Sequence, residues 1–139
     1  MKGYKKTVET LWQGRISDTQ DYLHEKVVLV DLEKDDLEIT KHNSFGLLGY
    51  ACEAGVQRNQ GRIGTKQGPT AIRKALAKLP NPLQVNSRLL DVGTVVCEKD
   101  EMEVAQRKLA YKIHLLLDKQ IIPIVIGGGH DIALSLIHI

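Results

Sequence analysis

Near the end of the chain, Ile121-Ile122-Pro123-Ile124-Val125-Ile126 runs apolar and largely β-branched, then breaks into Gly127-Gly128-Gly129-His130-Asp131. Such a run reads as a buried parallel strand, apolar on both faces. In an open α/β sheet the reactive groups gather outside the carboxyl ends of the strands. The glycines allow backbone torsions that a Cβ would forbid, and they leave room for a ligand beside the main chain. His130 is then the first side chain with chemistry at the mouth of the sheet. Neutral imidazole is the commonest protein metal ligand, and Asp131 can serve as its partner or as a group behind it.

Two other readings compete. A strand followed by Gly-x-Gly suggests a dinucleotide turn, but the third glycine of that fingerprint falls at Ile132, where a helix must pack close. Alternatively His130 only caps the next helix and the glycines form a tight turn. Three consecutive glycines are more than a turn requires, so the metal-ligand reading leads.

The preceding chain supplies the partners such a strand needs. Residues 1–40 read as an N-terminal arm that packs against the domain, with Trp12 and Gly14-Arg15 its features of character and Val27–Val30 a possible short strand. Residues 41–139 read as an α/β domain. Phe45–Cys52 is a first strand, and Glu53–Gly68 is a polar loop too long for a plain connection. Its glycines, with Arg58, Arg62 and Lys66, make it flexible and cationic. It is either a carboxylate-capturing segment or a solvated loop whose arginines confer solubility.

Gly68-Pro69 opens a helix, with Ile72, Ala75, Leu76 and Leu79 as its apolar stripe. Leu89–Val96 is a second strand, and Asp91 within it is either a site residue or bonded to nearby backbone. Asp100–Asp118 is a second helix, with Met102, Ala105, Leu109, Ile113 and Leu116 facing the core. His24, His42 and His114 read as surface or boundary residues. The series β-loop-α-β-α-β is the pattern of a parallel sheet with crossover helices. Three strands and two helices leave much of that sheet uncovered, so the expectation is the front part of a longer protein.

Composition narrows the function. A net charge of +2 with no basic block gives no argument for nucleic acid or a membrane surface. Aromatic content of 4% leaves no stacking platform for single strands. No apolar run reaches transmembrane length and no apolar stretch follows the basic N-terminus, so neither a span nor a secretory signal is expected. Cys52 and Cys97 form no Cys-x-x-Cys pair and suit a reduced, cytoplasmic protein.

Leu47 to Gly64, followed by Gly68-Pro69 and Ile72-Arg73, resembles the arginase (ureohydrolase) superfamily. Arg58-Asn59-Gln60-Gly61-Arg62 is most similar to its formimidoylglutamase branch. Asp91-Val92-Gly93 and Gly127-Gly128-Gly129-His130 follow in the family's order. The third glycine, where arginases and agmatinases carry aspartate, favours the same branch, whose members have glutamate at the place of Asp131. Trp12 with Gly14-Arg15 is similar to that branch's N-terminal arm, and the resemblance runs from about residue 12 to 134.

The resemblance implies a three-layer α-β-α fold around a parallel sheet, incomplete here, and a binuclear Mn²⁺ site. It implies hydrolysis of N-formimidoyl-L-glutamate to L-glutamate and formamide in histidine breakdown. The metal ions would lower the pKa of a bridging water, and its hydroxide would attack the amidine-like carbon. His130 matches the family's first metal ligand, and Arg58, Asn59 and Arg62 would hold the carboxylates of a small anionic amino acid. A homo-oligomer is implied for the full-length protein. The family's other ligands lie in Asp-x-His-x-Asp and Asp-x-Asp motifs, and this chain stops before both. Leu134–Ile139 leaves the family pattern and reads as a truncation or an assembly artefact. The expectation is a chain with at most one metal ligand, inactive alone. Other ureohydrolases (agmatinase, arginase, guanidinobutyrase) and a non-catalytic fragment are the alternatives; a cationic loop disfavours agmatine.

Overall fold

A computed structural model describes residues 3–137. His138 and Ile139, the end of the divergent tail, lie outside the described residues, as do Met1 and Lys2 of the basic N-terminus. The strands are β1 (Tyr4–Lys5), β2 (Val28–Leu29), β3 (Asn43–Ala51), β4 (Ser87–Val96) and β5 (Ile121–Gly127). The helices are α1 (Ala54–Arg58), α2 (Gly68–Leu76), α3 (Met102–Asp118) and α4 (Ile132–Ile137). The sheet runs β1-β4-β3-β5, and β2 also pairs with β4.

β2, β3, β4 and β5 are parallel, but β1 is antiparallel to β4, so the sheet is mixed. The expectation of a purely parallel sheet fails at this edge for a simple reason. An antiparallel strand needs no crossover helix, so the arm can lie along β4 directly. The Gly3 carbonyl accepts from Val96 N (2.9 Å), and Gly3 N donates to the Glu98 carboxylate (3.1 Å). The arm thus contributes two short strands to the sheet.

Alternating side chains along the central strands build two apolar layers. One face carries Leu48, Tyr50, Val92 and Val95 against Ala105, Leu109, Ile113 and Leu116 of α3. The other carries Leu47, Leu89 and Ile126 against Trp12, Leu23 and Ala77. Helix, sheet and helix-plus-arm make three layers.

The stripe expected on α2 holds in part, with Ile72 and Leu76 packed against the core. Ala75 and Leu79 are exposed, and the helix buries Pro69 and Arg73, with Ala77 buried at its C-cap. Arg73 is 1% exposed and Asp91 is fully buried. Nε and Nη2 of Arg73 donate to the two Asp91 oxygens at 2.7 and 2.8 Å, and Nη2 also reaches the Gly93 carbonyl (2.8 Å). Nη1 donates to Thr94 Oγ1 at 2.9 Å. Asp91 further accepts from Thr7 Oγ1 (2.8 Å) and Trp12 Nε1 (2.6 Å), tying the arm to the sheet. A buried charge is tolerable only when paired and hydrogen-bonded in this way.

Two glycines make the arrangement possible. β4 carries one more residue than β3 between the Leu47–Asp91 and Gly49–Thr94 pairs. Gly93, in this bulge, has φ +82°, a conformation L side chains rarely adopt. Gly49 faces the guanidinium: a Cβ there would stand 2.9 Å from Arg73 Nη1 and 3.0 Å from Pro69 Cβ.

β5 departs from the sequence reading. Ile121 and Ile126 are buried, but Ile122 and Ile124 are 56% and 42% exposed. Among the described residues β5 has β3 as its only neighbour, so it is an edge strand half covered, not one buried on both faces. Pro123, which has no N–H for a ladder, is compatible with an edge position.

Candidate active site at the mouth of the sheet

The parallel strands deliver the ends of β3, β4 and β5 to one side of the molecule. There the glycine run continues the pairing of β5 with β3: Gly128 N donates to Tyr50 O and Gly129 N to Cys52 O, both at 2.9 Å. None of Gly127, Gly128 and Gly129 has positive φ. The glycines are therefore needed for close approach, not for unusual torsions. A Cβ on Gly128 would run into the Cys52 carbonyl. The room expected for a ligand beside this main chain is occupied by β3 itself.

This tight seam projects His130 outward. Its side chain is exposed, and its carbonyl accepts from Ala133 N (3.1 Å) at the start of α4. His130 borders a cavity of about 400 Å³ with Gly55, Val56, Asn59, Asp131 and Leu134 among its walls.

Asp131 turns beneath the seam. Tyr50, itself fully buried, donates its hydroxyl to Oδ2 at 2.7 Å, and Gln106 Nε2 reaches the same oxygen at 3.3 Å. Burial pushes the Tyr50 phenol far above its ordinary pKa, with Cys52 and Asp131 adding to the effect, so Tyr50 remains a proton donor here. Oδ1 of Asp131 is buried and has no hydrogen-bond partner.

The orphaned Asp131 Oδ1, packed against Gly55, is an oxygen that a cation would satisfy. It is not enough for a binuclear site. Among the described residues no group of three or more His, Cys, Asp and Glu could hold a metal ion. One imidazole and a carboxylate already engaged by Tyr50 do not fit the manganese centre that the sequence resemblance implies.

The segment read as a long loop carries more order than its composition suggests. α1 begins directly after Glu53, and a 3-10 turn spans Thr65–Gln67. The fold brings Asn59 to the His130 cavity. It sends Arg58 elsewhere: Nη1 binds Glu103 Oε1 at 2.5 Å and Nη2 reaches Asp100 O at 3.2 Å, at the start of α3. The fork expected to capture a ligand carboxylate is closed on one of the protein's own. Arg58 correspondingly holds the Glu103 carboxyl down at about 2. Arg62 is exposed and makes no ion pair or hydrogen bond among the described residues.

Sequence reasoning missed Tyr50, Glu53 and Gln106. Only Glu53, an acidic residue directly at a strand's carboxyl end, carried a signal that could have been read. Asp91, left open by the sequence, belongs to the buried pair with Arg73 and not to the mouth.

The Arginase family profile matches residues 43–138. The formimidoylglutamase of Geobacillus sp. (strain WCH70) is 40% identical over 134 residues, covering 94% of this chain and 41% of that protein. The formimidoylglutamase of Clostridium tetani is 36% identical over 135 residues, covering 94% and 40%. Among solved structures, Trypanosoma cruzi formiminoglutamase (oxidized) with Mn²⁺ at pH 6.0 aligns with TM-score 0.57 and 32% identity, covering 69% of this chain and 35% of that one. An arginase superfamily protein from the same organism aligns with TM-score 0.59 and 31% identity, covering 72% and 36%. The chain therefore spans about 41% of the length of the first of these relatives. With a profile match over more than half its length and the three-layer fold in place, the chain belongs to the arginase family.

Proposed function

We propose that this chain is the N-terminal part of a hydrolase that cleaves N-formimidoyl-L-glutamate to L-glutamate and formamide, a step of histidine degradation. The observation that carries the reading is the cavity shared by His130 and Asn59, which joins the glycine-histidine strand tip to the Arg58–Arg62 segment. The names of the relatives support the substrate, and the Mn²⁺ of the Trypanosoma cruzi enzyme supports manganese as the metal.

Within this chain His130 offers an imidazole toward the cavity. Asn59 offers an amide, able to donate and accept. Arg62 is an unengaged guanidinium that suits a substrate carboxylate, and Arg58 can exchange Glu103 for another carboxylate because both side chains are half in water. The substrate is a small anionic amino acid, not a nucleic acid or a lipid. No helix among the described residues is long and apolar enough to cross a membrane. Two free thiols, Cys52 and Cys97, suit the cytoplasm. The half-covered β5 suits a longer chain or a homo-oligomer.

Because the residues present do not form a metal centre, the chain alone is expected to be inactive. Formamide release from N-formimidoyl-L-glutamate, measured with purified chain and added Mn²⁺, tests this; clear turnover overturns the incomplete-site reading. In the full-length protein, Arg62→Glu is expected to abolish hydrolysis of this substrate. Unchanged activity would remove the anionic-substrate assignment.

A further inference from the structure

Glu53 stands at the point where β3 hands over to the loop, and it is 7% exposed. Its carboxylate has two partners from the far end of that loop. Oε2 accepts from Gly64 N at 2.8 Å, and Oε1 meets Lys66 Nζ at 2.8 Å. Its backbone carbonyl accepts from Gln57 N (2.9 Å) and so starts α1. One residue thus holds both ends of the excursion from Ala54 to Ile63.

We propose that Glu53 is a positioning residue, which staples this segment closed so that Asn59 and α1 form one wall of the His130 cavity. Three observations support it. Gly64 takes φ +119°, a glycine-favoured conformation at the residue that gives its amide to Glu53. The segment is cross-braced inside, Gly61 N donating to Val56 O at 2.8 Å. α1 lies against the carboxylate behind His130: a Cβ on Gly55 would be 3.0 Å from Asp131 Oδ1. Opening the staple would therefore uncover Asp131, whose Oδ1 is buried against Gly55. The Lys66 ammonium, with the Gly64 amide, holds the Glu53 carboxyl below its ordinary range, as expected for an acceptor of two such bonds.

The consequence for catalysis rests on the proposed function, but the geometry does not. The test accordingly reads loop opening, never turnover, and its outcome stands apart from the identity of the substrate. In the purified chain, Glu53→Ala is expected to speed tryptic cleavage after Arg62 by about tenfold, the size expected for losing charge-assisted bonds to a backbone amide and an ammonium. Glu53→Gln, which keeps an acceptor for Gly64 N, is expected to restore part of the protection. Lys66→Met, which alters an exposed side chain and removes only the ion pair, gives a smaller increase and covers the case in which Glu53→Ala fails to fold. Folded variants with parental cleavage after Arg62 would overturn the proposal. So would, in Lys66→Met, a rise at Lys78 and Arg88 equal to that at Arg62.

Discussion

Arg73 meets Asp91 where the two side chains are 1% and 0% exposed, whereas Arg58 meets Glu103 with the side chains 49% and 56% exposed. The chemistry is the same forked guanidinium on a carboxylate. In the first pair every remaining donor and acceptor is also matched, by Thr7, Trp12, Gly93 and Thr94. In the second, water is an adequate substitute for either partner. Location therefore decides the role: the buried pair joins arm, helix and sheet, and the exposed pair is an interaction that solvent can replace.

That contrast can be broken by mutation. Asp91→Ala is expected to have the largest effect, about 3–5 kcal/mol, because it strands a buried guanidinium and removes an acceptor from Trp12 and Thr7. Against a typical domain stability of about 5–15 kcal/mol, the chain would be largely or wholly unfolded by circular dichroism. A urea midpoint close to the parent's would show that the buried pair does not define the fold. Gly128→Ala comes next, at about 1–3 kcal/mol, since its methyl group meets the Cys52 carbonyl and the seam must spread. Denaturant unfolding measures this, and a neutral outcome would mean that the mouth is soft in backbone as well as in side chains.

Tyr50→Phe should cost about 1–3 kcal/mol by leaving Asp131 Oδ2 with only the longer Gln106 contact. The same measurement applies. Glu103→Gln should have the smallest effect, no resolvable change in melting temperature. Its signature lies in pH. A carboxyl held at about 2 in the folded state contributes stability above the ordinary carboxylate range and loses it as pH falls toward about 2. For so exposed a pair the contribution is small and disappears in high salt, which a Glu103 titration followed by NMR at two ionic strengths would register.

The larger elements were legible because each carries its apolar signal over enough positions, as a continuous run in β3 and β4 and as a helical period in α3. β3, β4 and α3 satisfy this, and α3 buries Ala105, Leu109, Ile113 and Leu116 as its spacing requires. β1 and β2 are two residues each and cannot show a period. α1, at five residues, disappears into a glycine-rich context.

The site was legible in outline only. His130 stood out because a strand ending in glycines needs something at its tip, although the glycines answer to the Cys52 carbonyl and not to torsion. Arg58 could not be assigned, because its partner Glu103 lies 45 residues away. Arg73 was hidden by the default that a helical arginine faces water. The clue was Asp91, a carboxylate in an apolar strand, which had to find a cation.

Gly49 carries a consequence for inheritance. The missing side chain in β3 is the seat in which the Arg73 guanidinium lies, so positions 49 and 73 cannot vary independently. A library randomised at residue 49 alone should return almost nothing but glycine. Tolerance of a larger residue there should emerge only alongside a slimmer residue at 73, an uncharged one at 91 and a smaller one at 94, whose Oγ1 would stand nearest at 2.5 Å, four changes that a single mutational step cannot supply.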